Sequence, residues 1–296
     1  MNNDKVYEQV NERIISLLEQ GVSPWRKPWK NQNGKIEIAK NLISKKLYRG
    51  CNFFIVNSMG YESPYWLTFN QAKQKGANVK KGEKGTLIVF WKTFSVKETN
   101  EKGETRDKDI PFLRTSYIFN VAQCENLNLE EEKKVELTAH NPIESCENMR
   151  DKFPLGMPEL KHDQARAFYS PSLDYINMPK MGLFDTAEEY YNTLFHESIH
   201  ATGHKSRLNR QTLTDIHYFG DANYSQEELV AEMGASYMSA LCGIDNVTIQ
   251  NSASYLSNWI AAIRKDNKLV LKAASQAQKA VDFLTGYKYE GESENE

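Results

Sequence analysis

No stretch of this 296-residue chain approaches the roughly 20 consecutive apolar residues that a bilayer-spanning helix needs, so a membrane protein is not expected. A cleavable leader is not expected either: in MNNDKVYEQVNERIISLLEQG, Val6, Val10, Ile14 and Leu17 share one face of an amphipathic helix that Gly21 ends. Secretion is therefore not expected, and a cytoplasmic location is. Cysteine is scarce. Cys51, Cys124, Cys146 and Cys242 lie far apart with no C-x-x-C pair, which reads as reduced, structural thiols. Zinc-finger, basic-zipper and helix-turn-helix signatures are lacking, which argues against sequence reading on duplex DNA. There is no internal repeat and no heptad seam.

The chain as a whole also lacks a large excess of one charge, with a formal net charge of −2. That total conceals two opposed parts. Residues 1–120 carry 21 Lys and Arg against 12 Asp and Glu, whereas residues 121–296 carry 16 against 27. Such asymmetry points to a polyanionic partner for the basic part.

The most specific pattern is His196-Glu197-Ser198-Ile199-His200. On a helix, two histidines four apart lie on one face about 5.4 Å from each other, so both can reach a single ion. Glu197 then falls beside the ion's open position, where a carboxylate can take a proton from water. The surroundings predict that helix: Thr186 and Glu189 have capping-box spacing, Tyr190, Tyr191, Leu194, Phe195 and Ile199 recur with helical period, and Gly203 supplies a stop.

Two histidines leave a catalytic zinc one protein ligand short. His204 lies beyond Gly203, and the longer H-E-x-x-H-x-x-G-x-x-H spacing fails because Ser206 stands where its third histidine belongs. Residues 225–241, SQEELVAEMGASYMSAL, read as a second helix with Leu229, Val230, Met233, Tyr237 and Leu241 inward, and they carry Glu227, Glu228 and Glu232. Glu228 and Glu232 are one turn apart on one face. Glu228 is assigned to the metal and Glu232 to hold His196 from behind, with Glu232 as the fallback ligand. The competing reading of Glu228 is local, since Ser225 to Glu228 is itself a capping-box spacing.

Residues 165–179, ARAFYSPSLDYINMP, read as a hairpin of two short strands, a sheet edge on which an extended peptide could pair by its main chain. Tyr169 and Tyr175 on it could donate to an oxyanion, although strand aromatics are more often packed. A charge run near residues 125–142 reads as a solvated linker, residues 143–153 as a short helix, and the acidic YEGESENE tail as disordered.

The basic part holds four of the five tryptophans, Trp25, Trp29, Trp66 and Trp91, interleaved with the cations of WRKPWK, SKKLYRG and VKKGEKG. Aromatic faces that stack on unpaired bases, with lysines following the phosphates, suit single-stranded nucleic acid. Candidate contacts are Trp25, Lys27, Trp29, Lys46, Tyr48, Arg49, Trp66, Lys80, Lys81 and Lys84. Composition alone leaves open a plain core of buried tryptophans under solvated lysines.

Resemblance adds to this. PWRKPW, NLISKKLYRGCNFFIV, YWLTFNQAKQKGANVKKGEKGTLIVFW and YIFNVAQCENL resemble the N-terminal domain of the ArdC-type antirestriction proteins. FHESIHATGHKSRLNR, EELVAEMGASYMSALCGI and the run from NSASYLSNWIAAI to AQKAVDFL resemble the zincin-like metallopeptidase domain that follows in that family. The polar segment 95–111 departs from the pattern. The resemblance implies an α+β chain of two domains: residues 1–125, a small α+β domain binding single-stranded DNA; a linker at 126–142; a zincin-like metallopeptidase domain with an HExxH helix at 143–288; and a tail at 289–296. It implies an antirestriction protein of a mobile element, protecting incoming DNA. Under it, His196 and His200 match the family's metal histidines, Glu197 its general base and Glu228 a glutamate of its E-E-L-x-A-E block.

The expected cofactor is Zn2+, with another divalent ion such as Mn2+ as the alternative. The expected chemistry is peptide hydrolysis, in which Glu197 accepts a proton from the attacking water and returns it to the leaving amine. The protein substrate is not specified by the sequence. A second reading makes the chain a DNA-binding shield with a structural metal domain; a third, a metallonuclease, suits two histidines and few oxygens less well.

Overall fold

The computed structural model describes residues 3–20, 38–99, 105–128, 142–214, 222–244 and 253–288. Trp25, Lys27, Trp29, Gly21, most of the expected linker and the acidic tail lie outside them.

The N-terminal part begins with α1 (Asn3–Glu19), whose apolar face is the expected one: Val6, Val10, Ile14 and Leu17 are all buried. Then come β1 (Lys40–Asn41), α2 (Cys51–Asn57), β2 (Tyr65–Thr68), α3 (Phe69–Gln74), β3 (Asn78–Val79), β4 (Thr86–Thr99), β5 (Thr105–Asn120) and β6 (Cys124–Glu125). A four-stranded sheet runs β1-β2-β5-β4, with β1 parallel to β2 and the other pairs antiparallel, and β3 pairs with β6 in a ribbon. Of the polar segment 95–111, residues 95–99 and 105–111 belong to the β4–β5 ladder, whose register continues to Thr99 opposite Thr105. Thr68 starts α3 through a complete capping box with Gln71.

Strand alternation explains where the aromatic residues go. On β2 and β5, Trp66 and Ile118 point to one face and pack with Ala39, Tyr48 and Val56, while Leu67 points to the other and packs with Ala72, Ala77, Val121 and Cys124. Packed layers cover both faces of β2, so Trp66 is core.

The C-terminal part contains α4 (Pro142–Asp151), β7 (Glu159–Lys161), β8 (Phe168–Ser170), β9 (Tyr175–Asn177), α5 (Ala187–Thr202), α6 (Gln211–Thr214), α7 (Ala222–Cys242), α8 (Ala253–Lys265) and α9 (Leu269–Thr285). The expected hairpin is β8–β9, with Tyr169 opposite Ile176, and β7 adds parallel to β9, which leaves β8 at an edge beside α5. Helices α5 and α7 form the centre and α9 packs on both.

The two parts share one hydrophobic core. It joins Val6, Val10 and Ile14 of α1 and Phe53 to Ile55 of α2 to Phe195, Ile199, Leu229, Met233 and Ala277 of the C-terminal helices. Phe53 meets Tyr237 of α7 edge to face, with ring centroids 4.3 Å apart. Beside this contact the Arg49 guanidinium donates to both carboxylate oxygens of Asp282 on α9, at 2.7 and 2.6 Å, and lies over the Tyr287 ring. The Gly50 N–H donates to Gln278 Oε1 at 2.9 Å, a second bond across the same seam. Among the described residues no helix is long and apolar enough to cross a membrane.

Candidate metal centre

Helix α5 forms where the sequence predicts it. Thr186 Oγ1 accepts from the Glu189 N–H at 3.2 Å, and the helix stops at Gly203. The box is not reciprocal: the Glu189 carboxylate accepts from the Asp185 N–H at 3.2 Å instead. From Tyr190 onward α5 is buried almost all round, which carries His196, Glu197 and His200 into the interior.

Helix α7 starts at Ala222, earlier than the sequence suggests. Glu228 therefore lies in its second turn and is not needed at the helix end, which removes the capping explanation for it. Close packing brings α7 onto α5: a Cβ added to Gly234 would lie 2.6 Å from Ile199 Cδ1, so only glycine permits this approach.

The result is a three-sided donor set. His196 Nε2 and His200 Nε2 face each other at 3.1 Å, and the two Glu228 carboxylate oxygens lie 3.6 Å from His196 Nε2 and 3.5 Å from His200 Nε2. All three donors fall within 4.8 Å of one another. Two imidazole nitrogens aimed at one point, with an anionic oxygen between them, suit a divalent cation such as Zn2+ or Mn2+. His204 is elsewhere, with its Nδ1 2.7 Å from Ser206 Oγ.

The electrostatics describe the same basin. Burial presses both imidazoles toward the neutral form, but hydrogen bonds to Glu227 and Glu228 outweigh it, leaving His196 raised and His200 pushed up to about 10. Burial likewise opposes ionisation of Glu227 and Glu228, yet their bonds to the histidines hold Glu227 down at about 2, with Arg210 helping, and Glu228 well below the usual carboxylate range. Glu232 has no such bond, and burial pushes it up to about 7.

Glu232 does not take the position expected of it. It lies near enough to His196 for their charges to interact, but His196 Nδ1 is buried without a hydrogen-bond partner. The carboxylate that does hold an imidazole is Glu227, whose Oε1 is 3.2 Å from His200 Nδ1. Sequence reading passed over Glu227 and Arg210, which bonds it at 2.6 and 3.1 Å. The available signal was the return of an arginine seven residues after Gly203.

Residues 155–276 match the zincin-like metallopeptidase family, and residues 4–119 match the N-terminal domain of anti-restriction factor ArdC. The chain is similar to the crystal structure of antirestriction ArdC from the R388 plasmid in its metal-free form, with 35% identity, a TM-score of 0.71, and coverage of 94% of this chain and 96% of that one. It belongs to the ArdC antirestriction family. The Mn(II)-bound structure of the same plasmid protein matches with a TM-score of 0.72 and 35% identity over 95% and 97% of the two chains, so that ArdC relative takes a divalent metal. An uncharacterised protein, y4eC, of Sinorhizobium fredii (strain NBRC 101917 / NGR234) is 33% identical over 94% of this chain and 91% of its own length. Two Escherichia coli proteins named DNA primase TraC are 34% and 32% identical over 95% of this chain, which spans only 27% and 20% of their lengths.

Within this ArdC-family chain, the candidate nucleic-acid residues divide. Trp66 is 2% exposed and Tyr48 is buried beside it, so neither can stack on a base; the covered sheet face is the reason. Arg49 is committed to Asp282 and Tyr287. Lys46, Lys80, Lys81 and Lys84 are exposed, with the Lys80 ammonium donating to the Ala122 carbonyl at 2.8 Å. Sequence reading passed over Phe69 and Tyr117, each 55% exposed. Phe69 is the first residue of α3, which begins where β2 ends at Thr68, and Tyr117 lies on β5 next to Ile118, the partner of Thr68. Gly85 lies against Tyr117, where a Cβ would come within 2.9 Å of the tyrosine Cβ, and Lys84 precedes it. Lys40 and Lys45 lie over the Tyr65 ring at 4.6 and 4.5 Å. Tyr169, considered as an oxyanion donor, instead donates to Asp174 Oδ1 at 2.7 Å and accepts from Arg207 at 3.1 Å.

Proposed function

We propose that this protein is an antirestriction factor of a mobile element, acting in the cytoplasm, whose basic N-terminal part binds single-stranded DNA and whose C-terminal part is a zinc-dependent peptidase. The reading rests above all on the convergence of His196, His200 and Glu228. A divalent ion there supplies Lewis acidity toward a peptide carbonyl and toward water. Glu197, buried beside His196, accepts the proton of the attacking water and hands it to the leaving nitrogen. The edge of β8, beside α5, pairs with an extended substrate backbone and aligns its carbonyl with the donor set. The polypeptide that is cut is one bound to DNA or acting on it.

The DNA-binding half of the proposal is supported by the basic balance of residues 1–120 and by the exposed rings of Phe69 and Tyr117, with the exposed Lys84 next to the Gly85 that lies against Tyr117. Two relatives that contain a region similar to this whole chain are named DNA primases, which fits a DNA partner.

The test uses full-length protein loaded with Zn2+, a denatured labelled protein as substrate, and a fluorescent single-stranded oligonucleotide. Glu197→Gln is expected to keep the metal and the oligonucleotide and to lose hydrolysis, and His200→Ala to lose the metal. Equal hydrolysis by Glu197→Gln would refute the mechanism. DNA protection that survives Glu197→Gln would make the chain a shield with a structural metal domain.

A further inference from the structure

The two imidazoles of the donor set are not held alike. His200 Nδ1 is 3.2 Å from Glu227 Oε1, whereas His196 Nδ1 is buried with no partner. Glu227 is itself fixed on three sides. Arg210 Nη2 donates to its Oε1 at 2.6 Å, Arg210 Nε to its Oε2 at 3.1 Å, and Thr212 Oγ1 to its Oε2 at 2.6 Å. The same guanidinium donates to the carbonyls of Ile199 and His200, at 2.6 and 3.3 Å, and to Thr202 Oγ1 at 2.6 Å. Arg210 thus adds to the bonds on carbonyls of the last turn of α5 and grips the carboxylate behind His200. Its route is cleared by Gly203, where a Cβ would lie 2.8 Å from the guanidinium carbon.

We infer that Arg210 and Glu227 are positioning residues that lock the His200 imidazole, with Nδ1 turned to Glu227 and Nε2 turned into the donor set, so that the site is assembled around His200 while His196 adapts. The inference rests on the metal-site reading above. Its physical basis is that a ring nitrogen bonded to a carboxylate fixes both which nitrogen is free and where it points. A carboxylate that is pinned by a buried two-point arginine contact cannot rotate away. His196 has no equivalent, because Glu232, the acid near it, makes no bond to its ring.

The experiment measures Zn2+ affinity of the full-length protein by chelator competition, and the visible spectrum of the Co2+-loaded form, for wild type, Glu227→Gln, Thr212→Val and Glu232→Gln. Glutamine is close in shape but turns an amide toward the guanidinium. Glu227→Gln is expected to bind Zn2+ roughly 10- to 100-fold more weakly and to shift the Co2+ bands, with helical content unchanged, whereas Glu232→Gln changes affinity much less. Should Glu227→Gln not fold, Thr212→Val decides, since it removes one hydroxyl from Glu227 and is expected to weaken binding in the same direction with a shifted Co2+ spectrum. An unshifted spectrum and unchanged affinity in the variant that folds overturn the inference, as does a Glu232→Gln effect equal to that of the deciding variant. A wild-type protein that binds neither ion overturns the metal site itself and the inference with it.

Discussion

Ile199, between the two histidines of α5, and Gly234 of α7 meet so closely that a single added methyl would overlap the isoleucine: the nearest Ile199 carbon would lie 2.6 Å away. This contact sets the spacing between the helix that carries His196 and His200 and the helix that carries Glu228. Gly234→Ala is expected to push them apart, costing about 1–3 kcal/mol through overpacking. It should also weaken Zn2+ binding, because the carboxylate moves with α7. Thermal unfolding and metal titration check both. An unchanged affinity in a destabilised variant would mean that Glu228 follows the metal whatever the helices do.

Protons compete with the metal for the imidazoles, and the direction of that competition follows from the neighbouring acids. Without an ion, His200 is held at about 10 by carboxylates that overcome burial, so it carries a proton that an ion must displace, and the Glu228 bond raises His196 in the same direction. Affinity should therefore rise with pH, by about tenfold per unit between about pH 6 and 8, as one displaced proton requires. Titrations with Mn2+ at constant ionic strength measure this. A flat profile would contradict the raised imidazoles.

The same groups give the metal-free protein a defined pH window. The contribution of Glu227, lowered from 4.5 to about 2, is complete above 4.5 and lost as the pH falls through 2. That of His200, raised from 6.5 to about 10, is complete below 6.5 and lost as the pH rises through 10. Glu232, raised by burial from 4.5 to about 7, also loses its contribution with rising pH, through 7. Metal-free protein should then melt highest near pH 4.5–5, where the Glu227 contribution is complete and that of Glu232 has only begun to fall, and bound Zn2+ should move the maximum upward. Melting curves with and without a chelator across that range test it.

What the sequence made legible was the local part of this arrangement. The histidines, their helix and its limits depend on spacing within one element, so the period and the cap residues of α5 were readable. Glu228 needed a second helix and a choice between three acids, which the demand for a third ligand narrowed to the residue that the structure brings beside both histidines. Glu227 and Arg210 escaped because their meeting depends on how residues 203–210 fold back over the end of α5, and no periodicity encodes that return. In the basic half, Trp66 misled because aromatic residues among lysines look the same in sequence whether a second layer covers their strand face or not. Tyr48 failed with it, packed in the same cluster. Arg49 failed for a different reason: its partner Asp282 lies 233 residues away.

Arg49 and Asp282 form a two-point charged link across the seam between the two parts. Side-chain exposures of 24% and 21% mean that solvent screens the pair, so its loss should cost no more than about 1 kcal/mol. Arg49→Ala and Asp282→Ala are each expected to speed limited proteolysis, and the double variant should behave like either single one. Affinity for single-stranded DNA should keep its salt dependence in Arg49→Ala. A shallower slope would instead return Arg49 to the phosphate contacts.

The aromatic residues of the basic half should separate cleanly in mutagenesis. Trp66→Ala removes a buried ring from a covered sheet face and should cost about 3–5 kcal/mol of stability. Phe69→Ala and Tyr117→Ala change exposed side chains and should alter stability by no more than about 0.5 kcal/mol. If bases stack on these two rings, each substitution should weaken binding of a single-stranded oligonucleotide by about 1–3 kcal/mol, with the salt slope kept. Lys84→Ala should do the reverse, reducing the slope by about one while costing less at high salt. Fluorescence anisotropy at several salt concentrations, with duplex as competitor, reads both quantities. Wild-type affinity in the Phe69→Ala, Tyr117→Ala double variant would move the DNA surface elsewhere, toward the segment that holds Trp25 and Trp29.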